Sequence, residues 1–268
     1  MTQRLDAALA ARGLSRSRTQ AVRDIEAGLV TVDGASVVKP STPVSDDAVL
    51  AVAGGDHYVS RAAHKLLAAL DAFGIAVDGR ICLDLGASTG GFTQVLRERG
   101  AARVVAIDVG HDQLAPVVAA DDAVTVVEGF NVRYLTPESL SEAAGGPVQP
   151  DIIVGDLSFI SLALVLPAIR AVAASTTEVV LLVKPQFEVG RTGVREGLVT
   201  DAAARADAVA GVLWAAWDLG FGTLGVISSP IAGTHGNREY LVHLRSAPPA
   251  SGNPTEWLGT IDELTGVI

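Results

Sequence analysis

The stretch LDLGASTGGFT, residues 83–93, decides the fold of this chain. An apolar strand is predicted to end at Leu85, glycines follow at positions 86, 90 and 91, and a helix is predicted to begin near Gly91. Glycines at a strand-to-helix turn let the backbone approach a ligand, and the helix N-terminus offers free N–H groups. The dinucleotide fingerprint G-x-G-x-x-G lacks its middle glycine here, and no Gly-Lys-Ser/Thr follows, so the turn matches neither a dinucleotide site nor a P-loop.

Apolar strands alternate with helices from residue 60 onward, which is typical of a parallel, doubly wound α/β sheet. Strands are predicted at 81–85, 104–108, 124–128, 151–155, 179–183, 224–228 and 240–244. Helices are predicted near 60–74, with Ser60 as the N-cap, and near 91–99, 113–119, 137–143, 162–173 and 201–219. Residues 246–268 are predicted to form a loosely attached tail or a final short helix. The pattern therefore predicts a seven-stranded Rossmann-like α/β domain.

The first 52 residues show a different pattern, which predicts a separate compact α/β unit. Two short amphipathic stretches end at Gly13 and Gly28, and Ser15 is the predicted N-cap of the second stretch. The segment LVTVDGASVVKP alternates around Asp33-Gly34, which is a strong hairpin signal, and residues 49–52 are predicted to return as a strand. Residues 53–56 then provide a short joint, so a small domain precedes the larger one.

The composition favours a packed protein in a reducing compartment. Of the 268 residues, 49% are apolar and 19% are charged, and the single cysteine, Cys82, excludes an intramolecular disulfide. The amino terminus has no signal-peptide pattern, and no long apolar run lacks a charge, glycine or proline. We therefore expect a cytoplasmic protein that does not associate with membranes.

The net charge of −10 argues against a nucleic-acid partner, but the charge is unevenly distributed. Residues 1–23 carry five arginines, at positions 4, 12, 16, 18 and 23, against the single acid Asp6. Charge alone favours an ordinary solvated helix face for these arginines. The alternative is a local basic patch that binds RNA phosphates.

Acidic and amide side chains near the glycine turn indicate an adenosine ligand with a cationic tail. Asp108 ends the second strand, where a carboxylate can accept both ribose hydroxyls, and Asn131 follows the third strand within reach of an adenine. Asp84, just before the turn, is suited to a cationic group. Together these residues predict S-adenosylmethionine as the cofactor. The alternative is that the glycines only make a tight turn, which the combination of loop, acid and strand rhythm disfavours.

Two lysines and two carboxylates are predicted to converge beside this ligand. Lys184 ends the fifth strand and Asp156 the fourth, at the sheet edge where open α/β folds bind ligands. Lys65 is placed on the helix before the first strand, one turn from Arg61, and Glu239 opens the last strand. Each residue taken alone is as readily explained by a surface ion pair.

This residue set suits methylation of an alcohol, because a ribose 2′-hydroxyl is a poor nucleophile that needs a base and in-line placement. Lysines have an ordinary pKa of about 10.4, which a neighbouring cation lowers and carboxylates raise. We assign Lys184 as the base or hydroxyl-orienting group. Amino-group methylation fits less well, since Asp-Leu-Ser-Phe at 156–159 replaces the usual Asn/Asp-Pro-Pro-aromatic. Cys82 is predicted to be core, and the five histidines lack metal-ligand spacing, so no metal is expected.

Several long motifs resemble those of a known family. The amino-terminal RLDAALAARGLSRSRTQA resembles an S-four-type RNA-binding domain, and VSRAAHKL, LDLGASTGGFT, GDLSFISL and VKPQFEVG resemble the catalytic motifs of the TlyA (hemolysin A-like) ribosomal RNA 2′-O-methyltransferases. The resemblance covers nearly the whole chain. It implies an S-four-like domain at 1–55, a linker at 56–59 and a class I methyltransferase domain at 60–268.

The resemblance also implies specific functional residues and a ribosomal substrate. The residues themselves predict Asp84 and Gly91 as further cofactor contacts, and they predict RNA contacts at Arg4, Arg16, Arg18, Arg61 and Arg133. The resemblance implies a catalytic tetrad of Lys65, Asp156, Lys184 and Glu239, and cofactor contacts at Gly86, Ser88, Thr89, Gly90, Asp108 and Asn131. It implies methylation of cytidine ribose in 23S ribosomal RNA, with 16S as a further substrate. The short amino terminus and the sequence of the joint depart from some members.

Two rival functions use the same sequence differently. A cytolysin is suggested by the hemolysin name, but the sequence offers no spanning segment and no strongly basic amphipathic helix. A non-catalytic RNA-binding protein would use the amino-terminal domain alone, and it would not depend on Lys184.

Overall fold

The computed structural model describes residues 2–15, 17–52, 57–190, 194–233, 236–246 and 252–268. Its internal packing divides the chain into two compact units, Met1–Arg61 and Ala62–Ile268. The boundary between the units follows Arg61, so residues 57–61 belong to the first unit. The predicted joint at 53–56 lies outside the described residues.

The first unit is a small α/β fold with two antiparallel sheets, one pairing β1 with β4 and the other ordered β3-β2-β5. Its elements are β1 (Thr2–Arg4), α1 (Leu5–Ala11), α2 (Arg18–Glu26), β2 (Val30–Val32), β3 (Ala35–Ser36), β4 (Pro43–Ser45) and β5 (Leu50–Val52). The predicted hairpin is confirmed: Asp33 and Gly34 have φ of 50° and 81°, as a two-residue type I′ turn requires. Leu5, Leu9 and Ile25 are fully buried between the helices and strands.

The predicted N-cap of α2 was wrong by two residues. Ser17 caps the helix, since its hydroxyl accepts a hydrogen bond from Gln20 N at 3.2 Å. The hydroxyl of Ser15 instead donates to Asp24 Oδ2 at 2.9 Å inside the unit. A buried carboxylate without a hydrogen-bond donor is costly, so Ser15 donates to Asp24, while Ser17 already caps α2.

The second unit contains the predicted seven-stranded Rossmann-like sheet, in the order β11-β12-β10-β9-β6-β7-β8. Its strands are β6 (Ile81–Leu85), β7 (Arg103–Ile107), β8 (Val124–Val127), β9 (Ile152–Gly155), β10 (Glu178–Val183), β11 (Phe221–Ser228) and β12 (Tyr240–Ser246). The five neighbouring strands β10, β9, β6, β7 and β8 are parallel, and β12 runs antiparallel to both of its neighbours.

The helices of the second unit are α3 (Ala63–Phe73), α4 (Gly91–Glu98), α5 (Pro116–Ala119), α6 (Pro137–Ala143), α7 (Leu166–Val172), α8 (Pro185–Glu188), α9 (Ala202–Asp218) and α10 (Leu258–Thr265). Helix α3 begins after Ala62, so Ser60 is not its cap and Arg61 is not on the helix. The helix predicted at 113–119 is shorter because a proline at position 116 occupies its first turn. A 3-10 turn at Leu162–Leu164 precedes α7 for a similar reason, since Pro167 stands in the first turn of α7.

The carboxyl-terminal segment is a packed helix rather than a loose tail. Ile261 of α10 is 1% exposed and belongs to the main hydrophobic core. Arg205 of α9 donates from Nη2 to the carbonyl of Thr265 at 2.7 Å, which ties the end of α10 to α9. In the part of the chain that the structure describes, every helix is too short or too polar to cross a membrane.

The sheet topology brings the predicted site residues to one edge. Gly86, Asp108, Asp156 and Lys184 each follow a parallel strand, so all four lie at the carboxyl edge of the sheet. Glu239 immediately precedes β12, whose antiparallel direction places its start at the same edge.

Candidate active site

The glycine turn closes tightly against the segment that follows β9. Gly86 has φ of +79°, and a Cβ atom there would lie 2.9 Å from Leu157 Cδ2 and 3.3 Å from the carbonyl oxygen of Asp156. A side chain at position 86 would therefore be both strained and sterically blocked. The close approach leaves the backbone of the turn as the wall of an adjacent cavity.

Asp108 holds the other side of this turn. Its carboxylate accepts one hydrogen bond from Ser88 N and one from Gly110 N, each at 2.8 Å. Two backbone donors occupy one lone pair on each oxygen, and a carboxylate has further lone pairs for hydroxyl donors. Asp108 is thus oriented in advance for a ligand that carries hydroxyl groups.

A cavity of about 890 Å³ opens beside the turn, within the size range of small-molecule sites. Six of the predicted site residues line it: Gly86, Ser88, Asp108, Asn131, Arg133 and Asp156. The structure does not place four other predicted cofactor residues in its walls: Asp84, Thr89, Gly90 and Gly91. Gly90 and Gly91 instead form the start of α4, where Gly90 has φ of +94° and faces Leu114 and Val118.

Asp84 lies beneath the turn as a fully buried acid. Thr93 donates from Oγ1 to Asp84 Oδ2 at 2.7 Å, and Oδ1 has no hydrogen-bond partner among the described residues. Burial raises the pKa of Asp84 to about 7, against which the Thr93 hydrogen bond acts in the opposite direction. A cation bound nearby would favour the ionised form of this carboxyl.

The predicted tetrad converges into one continuous chain of charges. Lys184 Nζ lies 2.6 Å from Asp156 Oδ1, Lys65 Nζ lies 3.3 Å from Asp156 Oδ2, and Lys65 Nζ lies 2.7 Å from Glu239 Oε2. Lys65, Lys184 and Glu239 are each less than a tenth exposed. Asp156 lines the cavity, so it connects the tetrad to the ligand space.

The two lysines have different surroundings. Lys65 faces two carboxylates, whereas Lys184 faces one carboxylate and the hydroxyl of Ser158, to which its Nζ donates at 2.8 Å. The two shortest tetrad contacts leave Asp156 Oδ1 and Glu239 Oε2 without a hydrogen bond of acceptable angle, so both contacts are ion pairs rather than directed bonds. Lys184 is therefore paired with one carboxylate fewer than Lys65.

Two residues that line the cavity, Ser158 and Phe159, and one that holds a lining residue, Glu188, were not singled out from the sequence. Ser158 contacts Lys184, and Phe159 is 91% exposed with φ of +64°, its ring 5.3 Å from that of Phe187. Glu188 accepts hydrogen bonds from Ser161 Oγ at 2.6 Å and Leu162 N at 2.9 Å, and burial raises its pKa. The feature of the sequence that could have indicated these residues is the polar and aromatic content of the two segments that follow β9 and β10.

The predicted RNA-binding arginines fall in separate places. Arg4 and Arg18 lie together on the first unit, at Asp6, and Arg61 lies in the turn that ends that unit. Arg133 lines the cavity of the second unit, where its guanidinium lies 5.9 Å from the exposed ring of Tyr134. Arg16 lies outside the described residues.

Comparison with known proteins agrees with this geometry. Residues 58–246 match the family of FtsJ-like methyltransferases, and residues 3–50 match the S4 domain. The 16S/23S rRNA (cytidine-2′-O)-methyltransferase TlyA of Mycobacterium tuberculosis is 52% identical over 246 residues, which cover 91% of this chain and 90% of that protein.

Two further relatives carry a hemolysin designation. Hemolysin A of Brachyspira hyodysenteriae is 38% identical over 90% of this chain and 98% of its own length. A solved structure from Streptococcus thermophilus, also designated a hemolysin, is 38% identical with a TM-score of 0.74, covering 99% of this chain and 95% of that one. With both domains matched and these relatives aligned over most of their length, the chain belongs to the TlyA family of FtsJ-like methyltransferases that carry an amino-terminal S4 domain.

Proposed function

We propose that this protein transfers a methyl group from S-adenosylmethionine to the 2′-hydroxyl of a cytidine ribose in ribosomal RNA. The observation that carries the proposal is the buried Lys184–Asp156–Lys65–Glu239 chain at the cavity beside the glycine turn. The Mycobacterium tuberculosis relative bears the name of a methyltransferase for 16S and 23S ribosomal RNA, which supports 23S as a substrate here, with 16S as a second.

The cavity residues fit S-adenosylmethionine. Asp108 would hold the ribose hydroxyls, and Asn131 would hold the adenine through its amide nitrogen, since its Oδ1 already accepts from Arg133 N at 3.0 Å. Asp84 lies buried beneath the turn with an unpartnered Oδ1, and the cationic end of a bound cofactor would favour its ionised form. Gly86, Ser88, Thr89, Gly90 and Gly91 would shape the turn around it. When bound, the cofactor supplies a methyl group activated by its sulfonium charge.

Lys184 is the proposed base. Its Nζ already has Asp156 and Ser158 as partners, so two of the three positions around the nitrogen beyond Cε are filled. In the neutral amine, one N–H bond would point to Ser158 Oγ, and the lone pair would be available to a hydroxyl placed beside Nζ. A 2′-hydroxyl beside Nζ would donate its proton to Lys184, and the bound cofactor would supply the methyl group to the hydroxyl oxygen, with its sulfur–methyl bond broken and S-adenosylhomocysteine as the leaving group. Lys65 lies between Asp156 and Glu239 and would hold Asp156 in place.

Exposed groups around the cavity are suited to an RNA substrate. Phe159 presents a nearly free aromatic face at the cavity, on which the target base can stack. Arg133 offers a cation at the same cavity, and Arg4, Arg16, Arg18 and Arg61 supply cations on the first unit for RNA phosphates. We expect the protein to work in the cytoplasm, where ribosomal RNA is available.

The test is methyl transfer from labelled S-adenosylmethionine to small and large ribosomal subunits that lack the modification. Wild-type protein should label the RNA of the large subunit, and Lys184→Met should bind S-adenosylmethionine normally without transferring the label. Wild-type protein that binds the cofactor but labels no ribosomal RNA would contradict the proposal. Undiminished transfer by Lys184→Met would contradict the assignment of the base.

A further inference from the structure

A buried carboxylate joins two exposed arginines on the first unit. Asp6 has a side chain only 3% exposed, whereas the side chains of Arg4 and Arg18 are 49% and 59% exposed. Arg4 donates from Nε to Oδ1 and from Nη2 to Oδ2, each at 3.0 Å, and Arg18 donates from Nε to Oδ2 at 3.0 Å. The backbone N–H of Ala7 also donates to Oδ1 at 3.0 Å.

These contacts leave outward-facing donors on both guanidinium groups. Arg4 retains Nη1, and Arg18 retains Nη1 and Nη2, none of which has a hydrogen-bond partner among the described residues. The two guanidinium groups lower the pKa of Asp6 to about 2, mainly through the Arg4 hydrogen bonds, so the carboxylate stays charged at neutral pH. Its negative charge offsets the repulsion between two cations held side by side.

Another arginine of this unit is used differently. Arg12 donates to the carbonyl oxygens of Ser45, Asp46 and Ala48, so its guanidinium ties α1 to the loop after β4. Arg23 lies exposed in the last turn of α2 and does not contact Asp6. Asp6 therefore selects two of the arginines in this region and gives them a fixed relative position.

We propose that Asp6 is a positioning residue that sets Arg4 and Arg18 as a two-guanidinium clamp for one phosphate of the RNA backbone. The clamp deepens the proposed function and rests on it for the identity of the RNA. A phosphate presents two anionic oxygens, and guanidinium groups bind such pairs best when their donors are aligned in advance. Fixing both side chains before binding reduces the ordering cost that flexible surface arginines meet.

The variant Asp6→Asn separates positioning from net charge. It is close to isosteric and removes one negative charge from a phosphate-binding surface, so electrostatics alone predicts tighter RNA binding. The clamp predicts the opposite, with the Kd for large ribosomal subunits raised about five- to tenfold, because an amide cannot hold both guanidinium groups. The rate of methyl transfer at saturating subunits should stay within about twofold of wild type, since the tetrad is untouched.

Asp24→Asn is the matched control. Asp24 is also buried in the first unit, but its described partners are Ser15 and Gln20 rather than arginines. It tests the effect of disturbing a buried carboxylate, and we expect lower thermal stability with less than about a twofold change in Kd. Arg23→Gln controls for the loss of one surface charge. Unchanged or tighter binding by Asp6→Asn, or equal weakening by Asp24→Asn, would overturn the clamp.

A second measurement keeps the proposal testable if Asp6→Asn does not fold. Arg4→Gln and Arg18→Gln should each lose most of the affinity that the double variant loses, because one phosphate needs both groups. In the double variant, the slope of log Kd against log salt concentration should decrease by the equivalent of about one phosphate contact. Additive losses and a reduction of about two phosphates would show independent surface charges instead. If wild-type protein transfers no methyl group, the proposed function fails; if only these binding effects are missing, the clamp alone fails.

Discussion

Lys65 and Lys184 belong to the same charge chain, but their replacement by methionine should have different consequences. Lys65 is the cation that neutralises Glu239, at 2.7 Å, and it also contacts Asp156. Lys184 contacts Asp156 and Ser158, and Asp156 keeps Lys65 when Lys184 is removed. Lys65→Met therefore leaves a buried carboxylate unpaired, whereas Lys184→Met does not.

The size of the difference follows from burial. The side chain of Glu239 is 3% exposed, and an uncompensated buried charge costs about 3–5 kcal/mol of unfolding free energy. In a unit of this length, each kcal/mol lowers Tm by about 2–4 °C, so Lys65→Met should lower Tm by roughly 6–20 °C. Asp156 is 15% exposed and retains a cation after Lys184→Met, so that variant should lose only about 1 kcal/mol.

For methyl transfer we expect a large loss in Lys184→Met, although this variant should lose little stability. Lys184→Met removes the proposed base and should lower the single-turnover methyl-transfer rate about 10²- to 10⁴-fold at unchanged cofactor affinity. The assay pairs thermal unfolding with single-turnover transfer on the same preparations. Lys65→Met/Glu239→Gln should recover much of the stability lost by Lys65→Met without recovering full activity, because the buried charge is gone but Asp156 is less well held. If Lys65→Met is as stable as Lys184→Met, this charge pairing is wrong.

Three further predictions concern acidic residues of the second unit. Asp84 has a pKa of about 7 in the folded protein against an ordinary value of 3.8, so the folded state holds an extra proton between these pH values, and the free energy of unfolding should fall as pH rises through this range. Denaturant titrations of Asp84→Asn should show a smaller decrease in the free energy of unfolding over this range. A decrease equal to that of wild type would refute the prediction. Asp108→Ala should raise the cofactor Kd about tenfold or more through loss of hydroxyl contacts and of the Ser88 and Gly110 hydrogen bonds; calorimetry showing normal affinity would exclude the ribose role. Glu188→Gln should lower kcat with little change in cofactor affinity, because it weakens the hydrogen bonds that hold Ser161 and Leu162 in the segment after β9. A change in cofactor Kd without a change in kcat would contradict this prediction.

The positions of the proposed catalytic residues were predictable from the sequence because parallel strands impose them. Once the strands were recognised, Asp156 and Lys184 had to follow neighbouring strands at the same edge, and the structure brings both together with Lys65 and Glu239. The location of Glu239 also depended on β12, whose antiparallel direction places its first residue at that edge.

Side-chain pairing was not predictable in the same way. The arginine-rich start of the chain shows how many cations are present, but not that Asp6 selects Arg4 and Arg18 while Arg12 binds backbone carbonyls. Likewise, Ser15 and Ser17 are both acceptable N-caps by residue type, and the choice depends on the buried carboxylate of Asp24. Such choices depend on contacts between distant residues, which local pattern does not contain.

The central claim is that the methyl group is transferred to the 2′-hydroxyl of a cytidine ribose, and the position of the transferred methyl group tests it most directly. Ribosomal RNA labelled by wild-type protein should be digested with alkali and with nucleases, and the labelled nucleoside identified by mass spectrometry. We expect the label in 2′-O-methylcytidine, within a dinucleotide that resists alkali because the blocked hydroxyl cannot attack the adjacent phosphate. A label on a base nitrogen or carbon, released by alkali in a mononucleotide, would contradict the account.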